Sequence, residues 1–339
     1  MADISEYLNS LLAGKDLSVE QAEVLLDTIF GGEIAESQIA AFLTAMRIKE
    51  PTSAELAGLA RSLRNHAVAV KPKVDNLVDT CGTGGAAVKT FNISTASAFV
   101  AAGAGANIAK HGNRGITSKC GSADVLEELG VKIDPGAETV AKCIEQAHIG
   151  FMFAPMFHPA MKFVQPIRKT LGFRTVFNIL GPLANPARAN AQVMGVAEES
   201  LLCKIAETLK ILGLSRAMIV HSNGLDEIST ASVSKVVELR DGKISMYEID
   251  PAEFGIAAAK LEQMAGGDSQ QNAETVRNVI YGKENGAAKD IVLLNAAAAI
   301  VVASLADDLK EAFKMAQESI DNGKAVQCLE KMIEISNKG

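Results

Sequence analysis

Several clusters of residues in this 339-residue chain have the types and spacing to receive an anion and a metal ion. The first is Asp79-Thr-Cys-Gly82-Thr-Gly-Gly85, which follows an apolar stretch and leads into Thr90-Phe-Asn92-Ile93-Ser94-Thr95. Glycines there let the backbone bend sharply and bring N–H groups close to an anion, and Ser94 and Thr95 fall where a helix N-terminus already favours negative charge. The combination suits phosphate, although a glycine-rich turn with ordinary hydroxyl capping would explain the glycines alone. It is not GxxxxGK[ST] and is a poor GxGxxG, so loops for nucleoside triphosphates and dinucleotides are both disfavoured. A second cluster, Lys110-His111-Gly112-Asn113-Arg114, stands at the end of another expected strand, where α/β sheets place ligand loops. A Lys-His-Arg run is more often solvated surface, but its place after a strand favours an anion receiver. Gly121-Ser122 then opens a helix with a capping hydroxyl.

The third cluster is Asp226-Glu227, in a glycine-containing loop that follows an expected strand. Adjacent carboxylates offer hard oxygen ligands, and Mg²⁺ takes one or two carboxylates together with substrate phosphate oxygens. Alone, an acidic pair in a loop is usually only solubilising; its company with two phosphate-type loops reverses that preference. The fourth runs from His158-Pro-Ala-Met-Lys162 through Arg168 and Arg174 to Asn178 and Pro182, with Phe173 and Phe177 interleaved. Arg168 would supply a guanidinium for a carboxylate beside apolar walls for a ring. Arg174 is read as support for a helix junction, a role also open to Asn178.

Two kinds of element must position these groups. Residues 1–70 read as four short amphipathic helices, with capping boxes at Ser18/Gln21 and Thr52/Glu55 and stops at Gly31-Gly32 and Pro51. This small helical domain is expected to be joined by part of 160–185. Residues 71–339 change to short apolar strands alternating with helices, the pattern of a large α/β domain with a mostly parallel central sheet. Expected strands are 76–79, 106–109, 150–154, 193–197 and 217–221, and expected helices 94–102, 122–129, 137–147 and 199–212. Around 233–249 the residues turn β-branched, with Asp241-Gly242 in a hairpin position, so an antiparallel ribbon should join the sheet. After Asp268 the chain is mainly helical, and no internal repeat is visible.

Lys plus Arg total 33 against 40 Asp plus Glu, and a net charge of -7 argues against a nucleic-acid-binding surface. The five cysteines, Cys81, Cys120, Cys143, Cys203 and Cys328, are scattered without a C-x-x-C pair, which suggests neither a zinc site nor a disulfide framework and fits a reducing cytoplasm. No secretory signal opens the chain. The greasiest stretch, residues 291–306, is shorter than a span and contains Asn295, so it is read as a buried helix rather than a membrane segment.

In order and spacing, GTGG, TFNIST, KHGNR, GSADVLE, FNILGPL and GLDE resemble the anthranilate phosphoribosyltransferase family, within the wider group that includes pyrimidine nucleoside phosphorylases. The resemblance runs from the N-terminal helices to the C-terminal helical stretch. It implies a nucleoside phosphorylase/phosphoribosyltransferase type of fold, transfer of phosphoribosyl from phosphoribosyl pyrophosphate to the amine of anthranilate, Mg²⁺ as cofactor, a homodimer, and a cleft site between the two domains. For phosphoribosyl pyrophosphate it implies Gly82, Gly85, Ala86, Thr90, Asn92, Ile93, Ser94, Thr95, Lys110, His111, Gly112, Asn113, Arg114, Ser118 and Ser122. For anthranilate it implies Gly82, Asn113 and Arg168, with His111 and Pro182 close by, and for the metal Ser94, Asp226 and Glu227. The family pattern reads GTGGD, whereas Ala86 follows Gly85 here, so one carboxylate near the pyrophosphate and metal is missing. Two alternatives remain beside this reading: a nucleoside phosphorylase, and a relative that has lost catalysis and binds nucleic acid.

Overall fold

The alternation of apolar runs and helices becomes a seven-stranded sheet in the computed structural model, which describes residues 4–85, 88–115 and 119–339. Strands β1 (Leu77–Gly82), β2 (Asn107–Gly112), β3 (Ile149–Phe153), β4 (Ala191–Gly195) and β5 (Arg216–His221) run parallel. Strands β6 (Ser234–Arg240) and β7 (Lys243–Ile249) close one edge as the expected antiparallel ribbon, in the order β3-β2-β1-β4-β5-β6-β7. Asp241 and Gly242, with φ of 51° and 79°, make its turn, since a two-residue hairpin that follows the strand twist needs two left-handed residues.

The strand order fixes where a ligand can sit. From β1 the chain steps outward through β2 to β3, then returns to β4 on the other side of β1 and continues to β5. Crossovers therefore diverge between β1 and β4, and a crevice opens at their carboxyl ends. Gly82 and Gly195, which end the two strands, are paired in register there.

Helices cover both faces. Four N-terminal helices, α1 (Ile4–Leu12), α2 (Val19–Phe30), α3 (Glu36–Lys49) and α4 (Ser53–Asn65), form as the apolar spacing dictates. Ser18 with Gln21 and Thr52 with Glu55 make both expected capping boxes. The crossovers supply α5 (Ile93–Gly103), α6 (Ser122–Glu128) and α7 (Ala137–Ala147). Short helices α8 (Ala154–Phe157), α9 (Gln165–Leu171) and α10 (Phe177–Leu183) link β3 to β4, and α11 (Leu201–Ile211) links β4 to β5. The chain ends with α12 (Ser269–Ile280), α13 (Ala287–Val302), α14 (Leu309–Asp321) and α15 (Lys324–Lys338).

Two large cores result. One packs α5, α13, α14 and α15 on one face of the sheet, and every residue of α13 from Ile291 to Val302 is buried, as expected for the greasy stretch. Among the described residues no helix is long and apolar enough to cross a membrane. The other core joins α1–α4 to Val164, Ile167, Phe177 and Leu180 of the α9–α10 segment, and to Met194, Ala217 and Ile219 on the opposite sheet face. The segment that carries Arg168 is thus held by apolar contact with the N-terminal helices. Truncating one of its fully buried members, such as Phe42, should cost on the order of 3–5 kcal/mol.

Candidate active site

Strand β1 delivers Gly82 to the crevice with almost no room to spare. A Cβ on Gly82 would lie 2.6 Å from Asp226 Oδ2, and one on Gly195 would lie 1.6 Å from the Asp226 carbonyl oxygen. Only glycine at both strand ends lets the loop after β5 settle onto β1 and β4. Beyond Gly82, Gly84 and Gly85 turn through φ of 63° and 82°, a left-handed region that costs glycine nothing. The Gly84 N–H donates to Asp226 Oδ2 at 3.2 Å and the Thr83 N–H to the Gly195 carbonyl at 2.9 Å. The glycine loop and the acidic loop are therefore one unit.

The arm that follows is braced from the C-terminal region. Thr90 bridges Ala265, the Phe91 N–H donates to the Met264 carbonyl at 3.1 Å, and Asn272 Nδ2 donates to Asn92 Oδ1 at 3.0 Å. These contacts set the start of α5, where Ile93 and Thr95 are buried and Ser94 faces Lys110. Among the described residues the Thr95 hydroxyl has no hydrogen-bond partner in that buried position.

Lys110 enters from β2 and is itself buried. Its Nζ donates to the Thr80 carbonyl at 2.5 Å and to Ser94 Oγ at 3.3 Å, and desolvation lowers its pKa from the usual lysine value. Beside it Asp79 is fully buried, its carboxylate accepting from Asn185 Nδ2 at 2.8 Å and from the His111 N–H at 3.3 Å. Burial pushes the Asp79 pKa up to about 6 against the pull of Asn185 and Lys110. Asn185 also donates to the Ala109 carbonyl at 2.8 Å, so this amide clips β1 to β2.

Asp226 and Glu227 both lie where burial disfavours charge. Desolvation raises Asp226, opposed by its own and Gly84's backbone N–H groups and by Lys89 and Arg174; desolvation and then the neighbouring Asp226 raise Glu227 to about 8. Two adjacent, partly buried carboxylates that form no salt bridge among the described residues make a site that a cation would relieve. The Ser94 backbone lies near enough to the Glu227 carboxylate to oppose that rise, and its hydroxyl is a further hard oxygen donor of the kind Mg²⁺ takes. His221 fixes the same loop: its Nδ1 pairs with the Val196 carbonyl at 2.9 Å and Nε2 accepts from the Gly224 N–H at 3.3 Å.

The remaining residues of the second cluster face differently. Gly112 lies under Ser122, whose Oγ donates to the Asn113 carbonyl at 3.4 Å. Arg114 is turned away onto Asp124, at 3.0 Å, and Glu127, and this ion pairing raises its pKa. His111 stacks at 5.0 Å from the His158 ring, and burial drives the two down to about 3 and about 4. Among the described residues His111 Nε2 and both His158 ring nitrogens make no well-formed hydrogen bond, although backbone at Gly181, Leu63 and Ala184 lies near enough to oppose the shift. Ala86 and Ser118 lie outside the described residues.

On the helical side, Arg168 is half-buried over the Phe177 ring at 5.4 Å. Its Nε donates to Thr175 Oγ1 at 3.1 Å, Nη1 to Gln165 at 3.1 Å and Nη2 to Asn178 Oδ1 at 3.4 Å. Asn178 also accepts from the Thr175 N–H at 2.9 Å, which is the junction support expected of it. Pro182 sits inside α10, with its carbonyl accepting from Gln192 at 2.7 Å. Arg174 is the surprise of this segment: its guanidinium covers Gly85, for a Cβ there would lie 2.3 Å from Nη1 and 3.0 Å from Cζ. Sequence reasoning also passed over Asn185, because an Asn before Pro186 reads as an ordinary turn.

A helical bundle packed on a mostly parallel α/β unit, with a glycine loop at the switch point of the sheet, defines the class of a glycosyl transferase. Residues 5–67 match the model of the "Glycosyl transferase family, helical bundle domain" and residues 74–326 that of the "Glycosyl transferase family, a/b domain". An anthranilate phosphoribosyltransferase of Methanocorpusculum labreanum is 50% identical over 334 residues, 98% of each chain. The structure of the Thermus thermophilus anthranilate phosphoribosyltransferase superposes with a TM-score of 0.93 at 38% identity, over 97% of this chain and 99% of that one. The Saccharomyces cerevisiae enzyme, solved in complex with PRPP and Mg, gives 0.90 at 29% identity over 99% and 98%. The chain belongs to the anthranilate phosphoribosyltransferase family.

Proposed function

We propose that this protein transfers the phosphoribosyl group of phosphoribosyl pyrophosphate (PRPP) to the amine of anthranilate, giving N-(5-phosphoribosyl)anthranilate and pyrophosphate in tryptophan biosynthesis. The observation that carries the reading is the glycine loop at the β1/β4 crevice, docked on Asp226 and flanked by Lys110 and Ser94. Relatives of matching length and fold carry this activity in their names.

Displacement of pyrophosphate at C1 of the ribose develops positive charge on the sugar and negative charge on the leaving group. In this reading Gly82, Gly85, Thr90, Asn92, Ile93, Ser94 and Thr95, with Lys110, Gly112, Asn113, Arg114 and Ser122, form the PRPP side. Thr95 acts from a buried position, and Arg114 must leave Asp124 and Glu127 to reach a ligand. Ser94, Asp226 and Glu227 would hold Mg²⁺, which when bound supplies charge neutralisation for the pyrophosphate. Arg168, Asn113, Gly82, His111 and Pro182 form the anthranilate side. The aromatic amine is a neutral nucleophile near pH 7, so orientation rather than proton abstraction is the protein's main task. His111, depressed to about 3, stays neutral and serves as a polar wall.

The same reading makes the protein a cytoplasmic homodimer. Leu12 on α1 is 68% exposed and Ile48 on α3 is 78% exposed, and such apolar side chains on packed neighbouring helices favour a covered face. The test of function is the fall in anthranilate fluorescence on mixing protein, PRPP and Mg²⁺, with a metal-free control. A metal-dependent fall with phosphoribosylanthranilate formed is expected. No fall at any Mg²⁺ concentration, or phosphorolysis of thymidine or uridine, would overturn the reading.

A further inference from the structure

The donors of the glycine loop are partly committed to the protein. The Thr83 N–H is held by Gly195 and the Gly84 N–H by Asp226. Lys110 directs its ammonium to Thr80 and Ser94, and Arg114 is paired with Asp124 and Glu127. A pyrophosphate carries several acceptor oxygens, so a loop in this condition needs a further donor group to receive it.

Arg174 meets that need by position. Its guanidinium lies against Gly85, close enough that any side chain there would strike Nη1 at 2.3 Å. Among the described residues it makes no hydrogen bond or ion pair, and it is exposed to the crevice. The backbone that presents it is pinned on the following residue, because Thr175 donates its N–H to Asn178 and accepts from Arg168. Gly172 precedes it in the left-handed region, which turns the chain from α9 back toward the glycine loop. A long side chain with five N–H donors, anchored at its base and uncommitted at its tip, is suited to an anion that arrives from solvent.

We propose that Arg174 reaches from the helical side of the crevice to bind the pyrophosphate of the substrate on Gly82–Gly85, acting as a specificity and positioning residue for the leaving group. The inference rests on the reading of the site as a PRPP site. It differs from a role in junction support, in which the guanidinium would touch no ligand and its removal would be felt in stability.

The test compares Arg174→Ala and Arg174→Lys with the unaltered protein by four readouts: KM for PRPP, KM for anthranilate, binding of inorganic pyrophosphate with Mg²⁺ by calorimetry, and the thermal unfolding midpoint. For the alanine variant the PRPP KM and the pyrophosphate Kd are expected to rise about tenfold or more, the loss of one charge-assisted contact. The anthranilate KM and the unfolding midpoint should hold, and lysine should recover part of the loss. A PRPP KM and pyrophosphate Kd within twofold of the unaltered protein would overturn the proposal, as would a parallel rise in both KM values with a lowered midpoint. If the unaltered protein made no phosphoribosylanthranilate, the proposed function would fall, and the pyrophosphate titration would still decide whether Arg174 binds the anion.

Discussion

The two sides of the crevice are built by different physics. On the α/β side, functional groups are packed into one another: Lys110 on Ser94 and Thr80, Asp226 on Gly84, Asp79 on Asn185. Burial there raises Asp79 and Glu227 and lowers Lys110, so the charged form of each is disfavoured until a ligand or cation compensates it. On the helical side, Arg168 sits over Phe177, held by three side chains on a segment kept in place by apolar packing. Under the proposed function the difference has a reason: an anion is received by a rigid cage of loops at a switch point, and a ring by one oriented guanidinium beside an apolar wall.

The largest effect that would break this comparison is expected at the acidic pair. Asp226→Asn should lower metal-dependent kcat/KM on the order of a hundredfold or more, since it removes the charge and replaces one of the two carboxylate oxygens by an NH2 donor, leaving a single oxygen to serve both Gly84 and a metal. An active variant with ordinary Mg²⁺ dependence, measured by the fluorescence assay, would take this pair out of the site. Next, Arg168→Ala should raise the KM for anthranilate roughly 10- to 100-fold and leave that for PRPP within about twofold. Equal loss for both substrates would place the aromatic acid elsewhere.

A stability effect sharpens the same contrast. His158 is depressed to about 4 in the fold from 6.5. The unfolded chain therefore binds more protons than the native one between those values, and stability rises with pH across that window. Its contribution is complete above about 6.5 and is lost as pH falls toward about 4, on the order of 2 kcal/mol. In urea unfolding at pH 7 and pH 4.5, His158→Gln should lose less stability on acidification than the parent does; identical losses would mean the ring is solvated in the native state. The smallest effect is expected at Ala86, where the family motif has Asp: Ala86→Asp should lower the Mg²⁺ concentration for half-maximal rate by less than about tenfold. No change would mean that this position is remote from the metal.

Much of this was legible in the sequence, for identifiable reasons. The parallel strands, α5–α7 and the hairpin follow from periodicity and turn chemistry, with boundaries shifted by at most three residues; β1 continues to Gly82 because its last residues pair with β4 although they are glycine and cysteine. The capping boxes at Ser18 and Thr52 formed as written, because they are local. The contiguous motifs fell at strand ends, which a sequence can indicate. The partners of those motifs were not legible: Asn185 clips Asp79 from 106 residues away, and Arg174 reaches Gly85 only because the α9–α10 turn is held against the helices. The direction of a long side chain depends on packing that no local pattern records. Arg114 illustrates this, since its position suited an anion and its observed partners are Asp124 and Glu127.

The most direct test of the division across the crevice is calorimetric binding of each substrate separately, PRPP with Mg²⁺ and then anthranilate with pyrophosphate and Mg²⁺ present, to the unaltered protein and to Arg168→Ala. The PRPP affinity is expected to be unchanged by that substitution and the anthranilate affinity to fall at least tenfold. A loss of PRPP affinity equal to that of anthranilate would contradict it, because the two sides would then be a single site without separate duties.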